Sequence, residues 1–136
     1  MNLARLSLLA LPAVAILFAG GFSAPAGAAE PPLAHSVFFT LKDRSEASRE
    51  RFVASCQKYL TGHEGVLSFS VGTIAEDVVE PPSDREFDVA LLIVFRSKKD
   101  NETYQKSPRH VKFVEENRAH FAKVRVFDTY QAPAKP

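Results

Sequence analysis

The sequence has a single cysteine, Cys56, and no tryptophan. One thiol excludes an intrachain disulfide framework and a cysteine-rich zinc site. Neither sign of charge dominates, with 17 Lys and Arg against 16 Asp and Glu. That balance leaves no strongly basic surface for nucleic acid and no polybasic patch for a membrane. Internal repeats and low-complexity segments are absent after the first thirty or so residues. What is present is a hydrophobic fraction of 46% with 10% aromatics, enough for a packed core, which rules out wholesale disorder.

The one long apolar run lies at the start. Arg5 precedes Leu6 to Phe18, which is interrupted only by Ser7 and Pro12. Gly20, Gly21 and Pro25 break the run, and Ala26-Gly27-Ala28-Ala29 supplies small residues. This pattern predicts a signal peptide over residues 1–29, cut after Ala28 or Ala29, and export to the periplasm or the medium. The apolar core is too short to span a bilayer comfortably, so no stable membrane anchor is expected. No cysteine lies at its exit, between Gly20 and Glu30, which excludes a lipoprotein anchor. Removal of Arg5 brings the basic residues level with the 16 acidic ones. Residues 30–33 then read as a leader, 34–131 as one small domain and 132–136 as a loose tail.

Within the domain, His35 to Leu41 alternates as a strand, with Val37, Phe39 and Leu41 on the face of His35. Asp43-x-x-Glu46 is a candidate capping box with Ser45 as the alternative cap. The helix that follows carries an apolar stripe of Phe52, Val53, Cys56, Tyr59 and Leu60, and Gly62 ends it. Val66 to Ile74 is a second strand and Ala75 to Glu86 a polar loop. Phe87 to Phe95 is a third strand, apolar on both faces. Ser97-x-x-Asp100 caps a short helix to about Lys106, Ser107-Pro108 restarts a helix, and Val124 to Tyr130 is the last strand.

The order is βαββαβ. One antiparallel sheet with helices on one face is the economical α+β solution. The other face would stay bare, carrying Phe38, Ala90, Leu92, Val94 and Phe127. A bare apolar face marks an association surface, so a homodimer through this sheet face is expected.

Three stretches carry a resemblance. His35-x-Val37-x-Phe39, Phe87-Asp88-x-Ala90-Leu91 and Tyr104-x3-Pro108-x-His110-x2-Phe113 resemble the stress-responsive A/B barrel (Dabb) family, over about Ala34 to Gln131. The resemblance implies a ferredoxin-like fold that dimerises into an α+β barrel. It also implies, from a plant branch that cyclises polyketides with His and Tyr acid–base chemistry, site positions at His110, Tyr104 and His35.

The residues themselves support a site there. His110 falls at the third position of the helix begun by Pro108, on the face of Phe113, Val114, Asn117 and Phe121, and so points at the sheet. Burial and the positive helix end both disfavour imidazolium, leaving the neutral ring that a general base needs. Tyr104 has a phenolic proton to offer a developing enolate. A cavity between sheet and helices, lined by Val37, Phe39, Val89, Leu91 and Phe113, would take a small hydrophobic ligand. The alternative is that His110 and Tyr104 bond each other, or the backbone, as a structural clamp. Both readings stand at this point, so the chain is either a ligand-binding or structural dimer or an enzyme of proton transfer beside a carbonyl. Cys56 reads as a small buried hydrophobe, and His63 and Glu64 as solvated turn residues. His120 reads as late in its helix. No metal and no cofactor is expected: His35 and His110 lack ligand spacing, the acidic loop lacks an EF-hand pattern, and there is no haem motif.

Overall fold

The computed structural model describes residues 30–132. The expected signal segment and residues 133–136 of the expected tail lie outside them. The elements are β1 (Leu33–Leu41), α1 (Glu46–Leu60), β2 (Val66–Thr73), β3 (Val89–Phe95), α2 (Lys98–Lys106), α3 (Pro108–Asn117), a 3-10 turn (Arg118–His120) and β4 (Phe121–Tyr130). The strands form a four-stranded antiparallel sheet in the order β2-β3-β1-β4, with the helices on one face, a ferredoxin-like arrangement. No helix among the described residues is long and apolar enough to cross a membrane.

β1 begins at Leu33 rather than His35 and β2 ends at Thr73 rather than Ile74, and three further differences have a visible reason. β4 begins at Phe121 rather than Val124. Its ladder with β1 shifts register between Thr40 and Leu41, and that irregularity breaks the two-residue period. His120 consequently sits in the 3-10 turn, and Phe121 belongs to the strand and not to the α3 face. β3 begins at Val89 rather than Phe87, because Asp88 and Val89 are both fully buried, which interrupts the in-out alternation. Ser45, not Asp43, caps α1. Its hydroxyl accepts the Ser48 N–H at 3.3 Å, while Asp43 turns back to accept the Ser45 N–H at 3.0 Å. At the other end of α1, Gly62 takes φ +66°, the left-handed conformation that lets the chain leave the helix.

The core lies between the helices and the inward side chains of β1 and β3. Phe39 stands 4.8 Å from Phe52 and 5.2 Å from Phe121, ring centre to ring centre. Phe95 is fully buried, and a side chain of that size contributes about 2–3 kcal/mol on leaving water. Cys56 is fully buried too, and burial pushes its thiol up to about 12, so it packs as a hydrophobe.

Asp88 is fully buried, and its carboxylate accepts from the Leu41 N–H (2.8 Å), Arg44 Nε (2.9 Å) and Arg49 Nε (3.1 Å). Arg49 reaches onward to Glu76. This network ties the end of β1, the first turns of α1 and the long β2–β3 loop to the head of β3.

The outer sheet face carries Ala90 and Val94, half-buried, and Leu92, 42% exposed. Phe38 packs edge-on against Phe87 at 5.2 Å and Phe127 at 5.8 Å. Arg125 lies 5.8 Å above the Phe38 ring and pairs with Asp84, which holds the long loop against this face.

Candidate functional site

β1 runs between β3 and β4, and its alternation places His35 on the helix side of the sheet with Val37 and Phe39. The antiparallel register sets Asp128 of β4 opposite His35. Nδ1 of His35 lies 2.7 Å from Asp128 Oδ1, so Nδ1–H donates to the carboxylate. Nε2 then accepts a long bond, 3.4 Å, from the Gln105 amide. That amide also donates to Asn101 Oδ1 one turn earlier on α2, at 3.3 Å. A chain of bonds from Asn101 through Gln105 and His35 to Asp128 thus links α2 to the edge strand.

Ser107 breaks the helical segment and shapes the second half of the site. Its N–H closes α2 on the Tyr104 carbonyl at 3.0 Å. Its hydroxyl opens α3 by accepting the His110 N–H at 3.2 Å, with Pro108 at the first helical position. The imidazole of His110 therefore folds back over α2. Its Nδ1 lies 3.0 Å from the Gln105 carbonyl and donates to it, which leaves Nε2 a bare acceptor. Burial lowers the His110 pKa, against the opposing effect of the Gln105 carbonyl, and charge on His35 or His63 would lower it further.

Tyr104 stands at the centre of these groups. Its ring centre lies 4.7 Å from that of His110, 4.9 Å from His63, 5.1 Å from Phe95 and 6.5 Å from His35. The residue is 2% exposed; its hydroxyl makes no hydrogen bond to the described residues, and its oxygen is not among the buried unpaired atoms, so it keeps access to the cavity. Burial pushes the phenol well above its ordinary value, with Cys56 adding to the effect, so it stays protonated and available as a donor.

His35, Tyr104 and His110 line one cavity of about 570 Å³ between the sheet and the α2–α3 pair. Asn101, Gln105 and Asp128 complete its polar end, and Val37, Phe39, Leu91 and Phe113 line its apolar body with Leu60, Phe121 and the rim valines Val114, Val124 and Val126. Val89, expected in the lining, does not reach it. Val89 pairs with Phe39, four residues along the strand from the His35–Ile93 pair, and is buried in the core there. His110 and Tyr104 are not bonded to each other; His110 bonds to the Gln105 backbone carbonyl, the second form that the clamp reading allows. His63, expected in solvent, is half-buried, bonded through Nε2 to the Tyr59 carbonyl at 2.9 Å and set edge-on to Tyr104. No group of three or more His, Cys, Asp or Glu among the described residues is arranged to hold a metal ion.

Asp128, Gln105 and Asn101 are site residues that the sequence reading missed. Asp128 had a signal: Val124, Val126 and Asp128 alternate on one side of the last strand, and an acid closing an apolar alternation asks for a partner. Gln105 and Asn101 had none beyond an (i, i+4) spacing. With a bare imidazole nitrogen and a free phenolic proton at one end of an apolar chamber, the site can bind a carbonyl or hydroxyl group and exchange a proton with it.

A sequence model of the Stress responsive A/B Barrel Domain (Dabb) matches residues 33–131. The chain belongs to the Dabb family. Among solved structures, a Dabb family protein with a ferredoxin-like fold from Mesorhizobium loti is similar at 24% identity. The match covers 76% of this chain and 100% of that one, with a TM-score of 0.63. A dimeric ferredoxin-like protein of unknown function from Thermobifida fusca is similar at 13% identity, over 75% of this chain and 92% of that one, TM-score 0.62. A hydroxynitrile lyase from Passiflora edulis is similar at 21% identity, over 80% of this chain and 100% of that one, TM-score 0.62. At these identities the likenesses establish the Dabb fold. Among curated proteins none matches this sequence.

Proposed function

We propose that this Dabb protein is an exported homodimer that binds a small, largely apolar molecule in the cavity between its sheet and α2–α3. The observation that carries the reading is the convergence of His35, Tyr104 and His110 on one cavity of about 570 Å³, with the Tyr104 hydroxyl making no bond to the described residues. A hydroxyl that opens onto the cavity with no protein partner is free to donate to an occupant. Beyond the polar end formed by His35, Asn101, Gln105, His110 and Asp128 the chamber is apolar, which supports a hydrophobic body with one polar head.

The second reading is an enzyme that moves a proton beside a carbonyl, with His110 as base, Tyr104 as acid and His35 in support. It is favoured by the His110 geometry, in which the bond to the Gln105 carbonyl fixes the tautomer that leaves Nε2 as an acceptor. The lyase from Passiflora edulis shares the fold, and that supports the class of chemistry by analogy of fold alone.

Dimerisation through the outer sheet face is supported by exposed Leu92 and Phe127 and by the dimeric protein from Thermobifida fusca. Export is supported by the Arg5, Leu6–Phe18 and Ala-rich sequence pattern. The intact mass of protein purified from its native source should place the N-terminus at Ala29 or Glu30, and a chain beginning at Met1 in a membrane fraction would refute export.

Titration with benzylacetone, an apolar molecule with one carbonyl, tests the cavity. Saturable NMR shift changes confined to residues such as Tyr104, His110 and Leu91 are expected. They should vanish when Phe113→Trp fills the chamber. No saturable change at millimolar concentration would remove the ligand-binding reading.

A further inference from the structure

Asp128 is the one charged residue in the cavity lining among the described residues. The others are apolar or neutral: Asn101, Gln105, Tyr104 and the two imidazoles. No lysine or arginine joins them. Strand alternation explains this on β4, where Lys123 and Arg125 point to the outer face and pair with Glu86 and Asp84. On α3, Arg109 donates to the Lys58 carbonyl and Lys112 pairs with Glu116, so neither turns inward.

Both histidines are engaged through Nδ1, His35 with Asp128 and His110 with the Gln105 carbonyl. The bond chain uses His35 as an acceptor at Nε2, because both amide protons of Gln105 are spent on His35 and Asn101. His110 is held with Nε2 bare, and burial disfavours its charge. The Asp128 side chain is 48% exposed and lines the cavity, with Oδ1 bonded to His35 and no hydrogen bond to Oδ2 among the described residues. The polar end therefore carries one negative charge with no lysine or arginine in the lining to receive an anion, an imbalance felt most at low salt because Asp128 is half-exposed.

We infer that the cavity excludes anionic ligands and takes neutral or protonated-amine amphiphiles, with Asp128 as the selecting residue. The inference rests on the cavity being a ligand site, as proposed above, and narrows what that site accepts. A carboxylate, phosphate or sulfate head would meet Asp128 with no cation to receive it. A carbonyl or hydroxyl head finds the Tyr104 hydroxyl as donor and His110 Nε2 as acceptor. An ammonium head finds the free Asp128 oxygen.

Three probes of similar size and apolar body separate the cases: benzylacetone (neutral), hydrocinnamate (anion) and phenylpropylamine (cation). Each is titrated at neutral pH and low salt by NMR. Benzylacetone and phenylpropylamine should bind at least about tenfold tighter than hydrocinnamate, which is about 1.4 kcal/mol. In Asp128→Asn the preference should shrink toward unity, with hydrocinnamate gaining and phenylpropylamine losing. Val126→Lys provides a second variant that leaves Asp128 in place. It adds a cation at the cavity rim, where Val126 is 48% exposed, and should raise hydrocinnamate affinity several-fold. Equal binding of hydrocinnamate and benzylacetone by the wild type, or an unchanged ratio in folded Asp128→Asn, would overturn the selectivity. Failure of all three probes to bind would instead remove the ligand-site reading on which the selectivity rests.

Discussion

His35 and Asp128 are separated by 93 positions in sequence and by 2.7 Å in space. Neighbouring antiparallel strands place them in register, and the carboxylate holds the imidazole in its Nδ1–H form. Fixing that tautomer leaves Nε2 able to accept from Gln105, which anchors α2 over the sheet. In Asp128→Ala the tautomer preference should relax toward the Nε2–H form. Ring nitrogen shifts measured by NMR would report it. The stability change should stay under about 1 kcal/mol, because Asp128 is half-exposed and water screens the pair. An unchanged His35 tautomer in the variant would show that the carboxylate does not set it.

The outer sheet face gives a sharper expectation. Leu92→Asp would place a charge among Ala90, Val94 and Phe127 on the surface proposed to meet a second copy. If that contact is dry, the unpaired charge costs several kcal/mol per interface. Sedimentation should find the wild type as a dimer and the variant as a folded monomer, with little change in its circular dichroism. A wild-type monomer at micromolar concentration would sink the dimer.

The sequence made the skeleton of this protein readable because its strands alternate cleanly and its helices carry local caps. Ser97 and Ser107 announce two helix starts, and the Tyr-x3-Pro-x-His spacing brings Tyr104 and His110 together through local geometry alone. His35 joins them because strand order brings β1 beneath α2. Cross-strand relationships were far less accessible. Asp128 faces His35 only through a β1–β4 register that contains a shift, and the Asp88 network depends on three separate segments meeting. Val89 looked like a lining residue from alternation, which specifies a face but not the position along it where a cavity opens. His63 was assigned to solvent because a Gly-flanked turn gives no hint that it folds under Tyr104.

Asp88 should dominate the acid sensitivity of the fold. Burial alone would raise its carboxyl, but the Leu41 N–H and the guanidinium groups of Arg44 and Arg49 outweigh that and hold it below the usual range. A carboxyl depressed in the folded state binds fewer protons there than in the unfolded chain. Its stabilisation is therefore complete above the ordinary value of about 4 and is lost as pH falls through the depressed one. Asp88→Asn removes the charge and should cost roughly 3 kcal/mol at neutral pH, as Arg49 loses a buried partner. Urea melts across pH would show the wild type weakening in acid and the variant nearly flat over the same window. Parallel acid dependence in the two proteins would assign the effect elsewhere.

Tyr104 and His110 decide between a structural clamp and a functional pair. The Tyr104 hydroxyl makes no bond within the described protein, so Tyr104→Phe deletes a group without breaking a contact. Its stability should change by less than about 0.5 kcal/mol, since no hydrogen bond within the protein is lost. His110→Ala differs, because it strands the Gln105 carbonyl and empties part of the chamber wall, and should cost about 1–3 kcal/mol. The His110 ring also links stability to pH. Its folded value is depressed by burial, so its contribution is full above the ordinary value of about 6.5 and fades as pH falls through the depressed one. The pair should separate when melts and benzylacetone titrations are made on the same samples. Tyr104→Phe should melt like the wild type and bind the ketone several-fold more weakly, because the lost donor matters only to an occupant of the cavity. A Tyr104→Phe protein that is markedly less stable would show that the hydroxyl has a structural partner and is not free for an occupant of the cavity.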